Sequence, residues 1–371
     1  MNREVVVDIV ERLPQAAISR AWGWIARRRH PKVGVDILKR VFVAATGIDL
    51  TEAREEIGDY DCLEDLFVRR LRPGTRRVEP DATAVVSPVD ALVGACGVVE
   101  KDTLFQVKGR SYFLSRLLDD PENAKRFEGG PYATFYLSPR DYHRIHAPVS
   151  GVVREARVVP GGLLPVFPEA LQKVDELFAR NERLITYIDT THAGRVAVVK
   201  VGATLVGRIS LAYDPDVYTN EKGQARRTIH YDPPHLIQKG ADLGAFELGS
   251  TVVLVGEKGR IDFNGVMEGS ATRMGLRIGS VVERLSKRAP KKLVTPPKYK
   301  VEAEEGESEP TPVLQSSAQK ISKKKSAKKK TTKKKSTKKK STKKKPTKKS
   351  SDEAPLKKTT SRKTKATRKE K

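Results

Sequence analysis

Cysteine is scarce in this sequence: Cys62 and Cys96 are the only two, they form no CxxC spacing, and no partnered histidine accompanies them. Neither a disulfide framework nor a structural zinc site is suggested, and a reducing compartment fits best. Long apolar runs are missing too. The apolar residues near the N-terminus are interrupted by Asp8, Glu11, Arg12 and Arg20, which argues against a signal peptide. No stretch approaches the roughly 18 apolar residues of a spanning helix, so the chain is expected not to cross a membrane. The common catalytic signatures are also absent. No HExxH surrounds the histidines, and Ser250 has Leu248 two places before it, which removes the GxSxG elbow. No RNP-like, helix-turn-helix or zinc-finger pattern occurs, which argues against a nucleic-acid-binding body.

Positive charge is in excess, but only in one part of the chain. Of the formal +26 on 371 residues, the stretch from Lys320 onward supplies +23, with 26 Lys and Arg against 3 acidic residues, and residues 1–319 come to +3. The basic character therefore describes an appendage, and the body is nearly neutral. From about residue 287 apolar periodicity is lost and KKKS, KKKT and KKKP blocks follow, so 288–371 is expected to be a disordered linker and Lys-rich tail. No aromatic residue follows Lys320, so any hold on nucleic acid would come from counterion release without sequence preference. The anionic leaflet of a membrane is a competing partner, and a solubilising tail with no partner is a third reading.

The remaining residues suffice for one large or two small cores, and one is expected. Residues 3–28 carry Val6, Val10, Leu13, Ala17, Ala21 and Trp24 on one helical stripe, with Arg3, Arg12, Arg20 and Arg27–Arg29 available for the polar side. A second helix is predicted at 34–47 through Ile37, Leu38, Val41 and Phe42. Either the two helices pack on the core or they lie in a membrane interface. From about residue 83, short runs rich in Val, Ile, Leu and Tyr, bounded by Gly, Pro and Asp, predict an α+β chain with a predominantly antiparallel β body. Helix is also predicted in 111–127 and 168–181.

His143 and His146, three apart after the predicted strand ATFYLS, are on their own two polar residues or a weak metal pair, since His30, His192, His230 and His235 supply no evident third ligand. No metal is expected. The adjoining Ala-Pro and Gly suit a tight loop that aims imidazoles into a cleft. Ser250, in the step Leu248-Gly249-Ser250-Thr251, reads alone as a turn entering a strand, and Asp90 after Pro88 as a solvated turn residue.

Taken together, SPVDALVG, YLSPRDYHRIHAPVSG, LFARNER, VGATLVGRI and KGADLGAFELGSTVV, with LEDLFVRRLRPGTRRV at 63–78, stand in an order and spacing that resembles the phosphatidylserine decarboxylase proenzymes over roughly 60–285. Asp242 departs from the glutamate expected there, and the lysine tail has no counterpart. The resemblance implies a barrel-sandwich type of β body and three regions: a helical membrane-docking region at 1–60, a catalytic domain at 61–287 and the tail at 288–371. It implies that Ser250 attacks the carbonyl of Gly249, with His146 as base and Asp90 orienting it. The chain would be cut into a β chain, 1–249, and an α chain, 250–371, whose residue 250 becomes a covalent pyruvoyl cofactor. His143 would protonate the product or stabilise the departing carboxylate, and Phe167 in GGLLPVF would cover the headgroup. The implied partners are phosphatidylserine and an anionic membrane surface. A homo-oligomer peripheral to the cytoplasmic face of the cell membrane is expected. Two rivals remain: a pyruvoyl-dependent decarboxylase of another amine-bearing acid, and a non-catalytic barrel-sandwich interaction module.

Overall fold

In a computed structural model the described residues are 15–105, 110–204, 208–247 and 250–282. All fall in the compact unit Met1–Leu293. The unit Val294–Lys371, with the expected disordered tail, lies outside them, as do Val6, Val10 and Leu13 of the N-terminal stripe.

Helices α1 (Gln15–Ala26), α2 (Lys32–Thr46) and α3 (Leu63–Phe67) open the described chain. They build a small core of their own, in which Ala26, Ile48, Tyr60, Leu63, Leu66 and Phe67 are buried and Trp22, Leu38 and Phe42 are partly covered. This core is separate from the main one, where the sequence led to the expectation of one. Lys39 ties α2 down: its buried ammonium donates to the carbonyls of Ile57 (2.8 Å) and Tyr60 (2.6 Å). The other helical faces turn outward. Trp24 is 59% exposed, and Val33, Ile37 and Val41, four apart along α2, are 73%, 58% and 60% exposed. Among the described residues no helix is long and apolar enough to cross a membrane.

The β body is antiparallel, as the short alternating runs predict. Its largest sheet has eight strands: β2 (Ala91–Val98), β5 (Pro131–Leu137), β7 (Gly151–Val159), β8 (Arg183–Asp189), β9 (Arg195–Val201), β11 (Arg227–Ile237), β13 (Ser250–Gly256) and β15 (Ala271–Thr272). Their order is β11-β7-β8-β9-β13-β5-β2-β15. The order has two ends, so the described strands form no closed barrel. β13 lies near the middle, and its Val252–Val255 run is fully buried, the continuous apolar pattern of a strand covered on both faces. At one end β11 carries Pro233 and Pro234, which lack N–H groups, and the register slips between His230 and His235.

Three smaller sheets complete the body: β1 (Ala84–Val86) with β16 (Arg277–Val281) and β14 (Ile261–Asp262), β3 (Thr103–Phe105) with β4 (Ser111–Phe113), and β10 (Ile209–Leu211) with β12 (Asp242–Phe246) and β6 (Arg144–His146). The helix predicted at 111–127 is β4 followed by α4 (Leu114–Leu118) and α5 (Pro121–Arg126), with Asp120 capping α5 through bonds from the N–H groups of Glu122 and Asn123. The one predicted at 168–181 is split into α6 (Pro168–Lys173) and α7 (Leu177–Arg180).

Gly244 sits in the middle of β12 at φ +147, where a Cβ would stand 2.0 Å from the Ser210 carbonyl oxygen on β10. Gly244→Ala is expected to destabilise the fold by about 3 kcal/mol, as overpacking against fixed backbone. A urea midpoint equal to that of the unaltered protein would mean that β10 yields at no cost.

Candidate active site

His146 ends β6, where its backbone pairs with Asp242 of β12. Its N–H donates to the Pro88 carbonyl at 2.8 Å, which brings the SPVDA turn beside the histidine. The imidazole is buried and both nitrogens are engaged: Nδ1 lies 2.8 Å from the Gly240 carbonyl and Nε2 lies 3.1 Å from the Tyr142 hydroxyl. A carbonyl can only accept, so Nδ1 carries the proton and Nε2 of the neutral ring is the basic atom, accepting from Tyr142. Burial lowers the pKa of His146, opposed in part by the Gly240 hydrogen bond, then by the Asp242 charge and least by that of Asp90.

Asp90 does not make the expected hydrogen bond to this imidazole. Its carboxylate is gripped by Arg76 Nε, 3.0 Å from Oδ1 and 3.1 Å from Oδ2, and accepts the Met274 N–H at 2.8 Å. Arg76 in turn holds Glu52 at 2.7 Å. The tautomer of His146 is fixed by the backbone of Gly240 instead. Asp242 uses its short side chain to accept the Gly244 N–H at 3.0 Å, two residues on, and to pair with Arg144 at 2.9 Å.

His143 is wholly buried. Its ring stacks on Phe67 of α3 with centroids 4.0 Å apart, so the helical core touches the β body at this histidine. Nδ1 donates to the Asp141 carbonyl at 2.8 Å, whereas Nε2 has no hydrogen-bond partner. Burial pushes its pKa down to about 3. His143 and His146 thus address different backbone carbonyls, and among the described residues no three His, Cys, Asp or Glu converge as a metal group.

Leu248 and Gly249 lie outside the described residues, as does the side chain of Ser250. The flanks of that step are well defined. Phe246 donates its N–H to the His143 carbonyl at 3.0 Å, and Ser250 pairs with Leu137 at the start of β13. The chain therefore leaves the β10-β12-β6 sheet and enters the eight-stranded sheet within four residues. Just before the switch, buried Glu247 is held by Arg208 at 2.6 Å and by Arg27, beyond the end of α1, at 3.5 Å. Arg27 also pairs with Glu64 of α3 at 3.0 Å. Sequence reasoning passed over this cluster and Arg76, because the partners are up to 220 residues apart.

Beside β13 lies an apolar cavity of about 160 Å³, lined by Leu92, Thr134, Tyr136, Val166, Leu171, Phe178 and Thr251 among others. The Thr251 hydroxyl is buried without a partner. Phe167 is only partly buried against the main core and stands between two lining residues in sequence distance, next to Val166 and ahead of Leu171. Asn181 fixes this wall: its amide accepts the Leu164 N–H at 2.9 Å and donates to the carbonyls of Leu164 (2.9 Å) and Gly202 (2.8 Å). A second, polar cavity of about 500 Å³ shares Leu92 and Tyr136 with the first and is walled by Asp90, Arg69, Arg140, Asp141 and Tyr142 among others.

With this geometry established, comparison with known proteins gives consistent results. The sequence profile described as phosphatidylserine decarboxylase matches residues 63–280. The chain is similar to proteins named phosphatidylserine decarboxylase proenzyme from Anaeromyxobacter sp. (strain K), 45% identical over 70% of this chain and 92% of the relative, and from Myxococcus xanthus, 40% identical over 76% and 100%. A protein of the same name from Brevibacillus brevis is 38% identical over 74% of this chain and 97% of its own length.

The buried His143 makes a further expectation concrete. Its folded pKa lies below its unfolded one, so between pH 6.5 and about 3 the unfolded chain takes up a proton that the folded chain refuses. Stability from this residue is complete above pH 6.5 and is lost as pH falls, by about 2 kcal/mol at pH 5. His143→Asn should remove that part of the acid sensitivity. Parallel loss of Tm with acid in both proteins would rule it out.

Proposed function

We propose, from the premise that this chain belongs to the phosphatidylserine decarboxylase family, that it converts phosphatidylserine to phosphatidylethanolamine after cutting itself between Gly249 and Ser250. The observation that carries this reading is that two buried histidines bracket β6, the N–H of His146 on the Pro88 carbonyl beside the Asp90 turn and the carbonyl of His143 on the Phe246 N–H at the exit of β12. Ser250 Oγ attacks the Gly249 carbonyl carbon and its proton passes to the basic Nε2 of His146, beside the Tyr142 hydroxyl. The amide becomes an ester, which β-elimination opens into a Gly249 carboxylate and a dehydroalanine at 250. That residue takes up water and releases ammonia, leaving a pyruvoyl group at the start of the α chain. Asp90 acts on His146 through space, favouring the protonated imidazole, since no hydrogen bond joins them.

The surroundings fit such a group. Thr251 Oγ1, a buried hydroxyl without a partner just past the scissile step, can donate to a carbonyl there, and the bare His143 Nε2 can accept a proton from an incoming donor. The pyruvoyl group supplies an electrophilic carbonyl that captures the substrate amine and accepts the electrons released as carbon dioxide leaves. His143, neutral with its one proton on Nδ1, takes up at Nε2 a proton that the substrate ammonium gives as its nitrogen is captured, and returns it to the carbon that loses the carboxylate. The charged headgroup belongs in the polar cavity of Asp90, Arg140 and Tyr142 rather than in the apolar one, with Phe167, next to Val166 of the apolar wall, over it.

On this reading residues 1–60 dock the enzyme, 61–287 perform the chemistry and 288–371 form a linker and Lys-rich tail that strengthens attachment to an anionic leaflet. The outward apolar stripe of Trp24, Val33, Ile37 and Val41 supports docking in the interface, with Arg27–Arg29 beside it. The enzyme is then peripheral to the cytoplasmic face of the cell membrane. The reading as a non-catalytic barrel-sandwich module predicts no processing, and that as a decarboxylase of a soluble acid predicts no need for the stripe.

Intact-mass analysis tests the processing. Ser250→Ala and His146→Ala should stay uncut and Asp90→Asn should cut slowly, whereas His143→Ala should give two chains with decarboxylation reduced about 10²- to 10⁴-fold. Rapid cleavage of His146→Ala would overturn the assigned base. The docking surface is tested by point changes, because Trp22 and Ala26 belong to the helical core and truncation would disturb it. Trp24, Ile37 and Val41 changed together to Glu should leave processing intact and abolish sedimentation with phosphatidylserine vesicles in high salt. Undiminished sedimentation would place the anchor elsewhere.

A further inference from the structure

Arg69 holds a buried positive charge that no carboxylate meets by a hydrogen bond. Its residue is 4% exposed. Nη2 donates to the carbonyls of Arg140 at 3.1 Å and Asp141 at 3.4 Å, while Nε and Nη1 are buried with no hydrogen-bond partner. Of the nearby carboxylates, Asp90 and Glu52 are held by Arg76, Glu52 also by Arg273, and Asp242 by Arg144 and Arg70, while that of Asp141 accepts the Ser138 N–H. Burial lowers the pKa of Arg69, and the Asp90 and Asp141 charges oppose this without bonding to it.

Arg183 shows what a purely structural buried arginine looks like in this fold. All three of its nitrogens are satisfied, Nε by the Leu117 carbonyl, Nη2 by that of Arg116 and Nη1 by those of Ala179 and Asn181. A guanidinium with two orphaned donors is costly to bury unless an acceptor arrives to fill them. Arg69 also lines the polar cavity of about 500 Å³ that contains Asp90 and Arg140. The Asp141 carbonyl that Arg69 touches is the one that receives His143 Nδ1, so one backbone carbonyl joins this cavity wall to His143.

We propose that Arg69 and the cavity it lines form an anion subsite that receives the phosphodiester of the phospholipid substrate, an inference that rests on the decarboxylase reading above. The choice of phosphodiester over carboxylate follows from the chemistry. A guanidinium on the substrate carboxylate would stabilise a charge that must disappear as carbon dioxide forms, raising the barrier. The phosphodiester keeps its charge throughout, so holding it favours ground state and transition state alike. The planar fork of arginine matches phosphate oxygens through paired donors.

The test uses full-length Ser250→Ala protein, which needs no turnover, melted in sodium chloride, in inorganic phosphate and in glycerophosphoserine at equal ionic strength. Both phosphate compounds should raise Tm, and Arg69→Met in the same background should abolish the rise. Where the Met variant does not fold, Arg69→Lys retains the charge without the fork and should weaken the rise. In the self-processed enzyme Arg69→Lys should raise KM for phosphatidylserine roughly tenfold or more, the effect of losing a charge-assisted hydrogen bond, with kcat little changed. No Tm rise with either compound, or a rise that survives in the Arg69 variants, would overturn the subsite. A rise with inorganic phosphate alone would overturn the lipid assignment and mark a free-anion site. Failure of the unaltered enzyme to decarboxylate phosphatidylserine would sink the functional reading while the melting comparison still judged the subsite.

Discussion

The change of sheet between β12 and β13 is the constraint on which the rest of this structure depends. β12 is held by β10 and β6 on its two edges, and β13 by β5 and β9. Both strands are therefore anchored along their length, and the chain has only residues 247–249 in which to pass from one to the other. Each flank keeps its own hydrogen-bonded partners, so a break in the connection would leave both new ends tied to the body. At the near side of this crossing Phe246 donates its N–H to the carbonyl of His143, the residue before β6.

Charge burial around that crossing is arranged unevenly, and the unevenness separates scaffold from site. Asp90, Arg76 and Glu52 compensate one another, as do Asp242 and Arg144, and such pairs hold loops in place without exposing a reactive group. Arg183 and Lys39 reach the same end through backbone carbonyls. Of the nine unsatisfied buried side-chain atoms among the described residues, four gather in this region: His143 Nε2, Thr251 Oγ1 of the apolar cavity and the two Arg69 nitrogens of the polar one. Where a fold satisfies nearly every buried polar group, the exceptions point to places where something else is meant to bind.

The helical core and the loop after it are joined to the β body by buried and ionic contacts, Arg69 on the Arg140 carbonyl, Arg144 on that of Val68 and Arg273 on Glu52 among them. Phe67 packs on the ring of His143, and Arg27 reaches from the end of α1 to Glu64 and Glu247. The apolar face on the far side of α1 and α2 is free of such contacts, which leaves it available to an interface while the near face remains part of the protein.

Much was legible in the sequence because the signals are local. Short runs rich in Val, Ile, Leu and Tyr between Gly, Pro and Asp marked β2, β5, β7, β8, β9 and β13, and the charge count separated a neutral body from a basic tail. The ordered motifs around Asp90, His143, His146 and Ser250 pointed to the family before any coordinates. β11 was not legible, since the Asp-Pro-Pro step within it argues against a strand and only its place at the sheet end tolerates it. Nor was the pairing of side chains: Gly240 in place of Asp90 as the partner of His146 Nδ1, Arg76 as the partner of Asp90, and Arg69 left without one. Those choices depend on groups far apart in the chain competing for the same few buried acceptors, and only the packed tertiary structure fixes which of them comes within hydrogen-bonding distance.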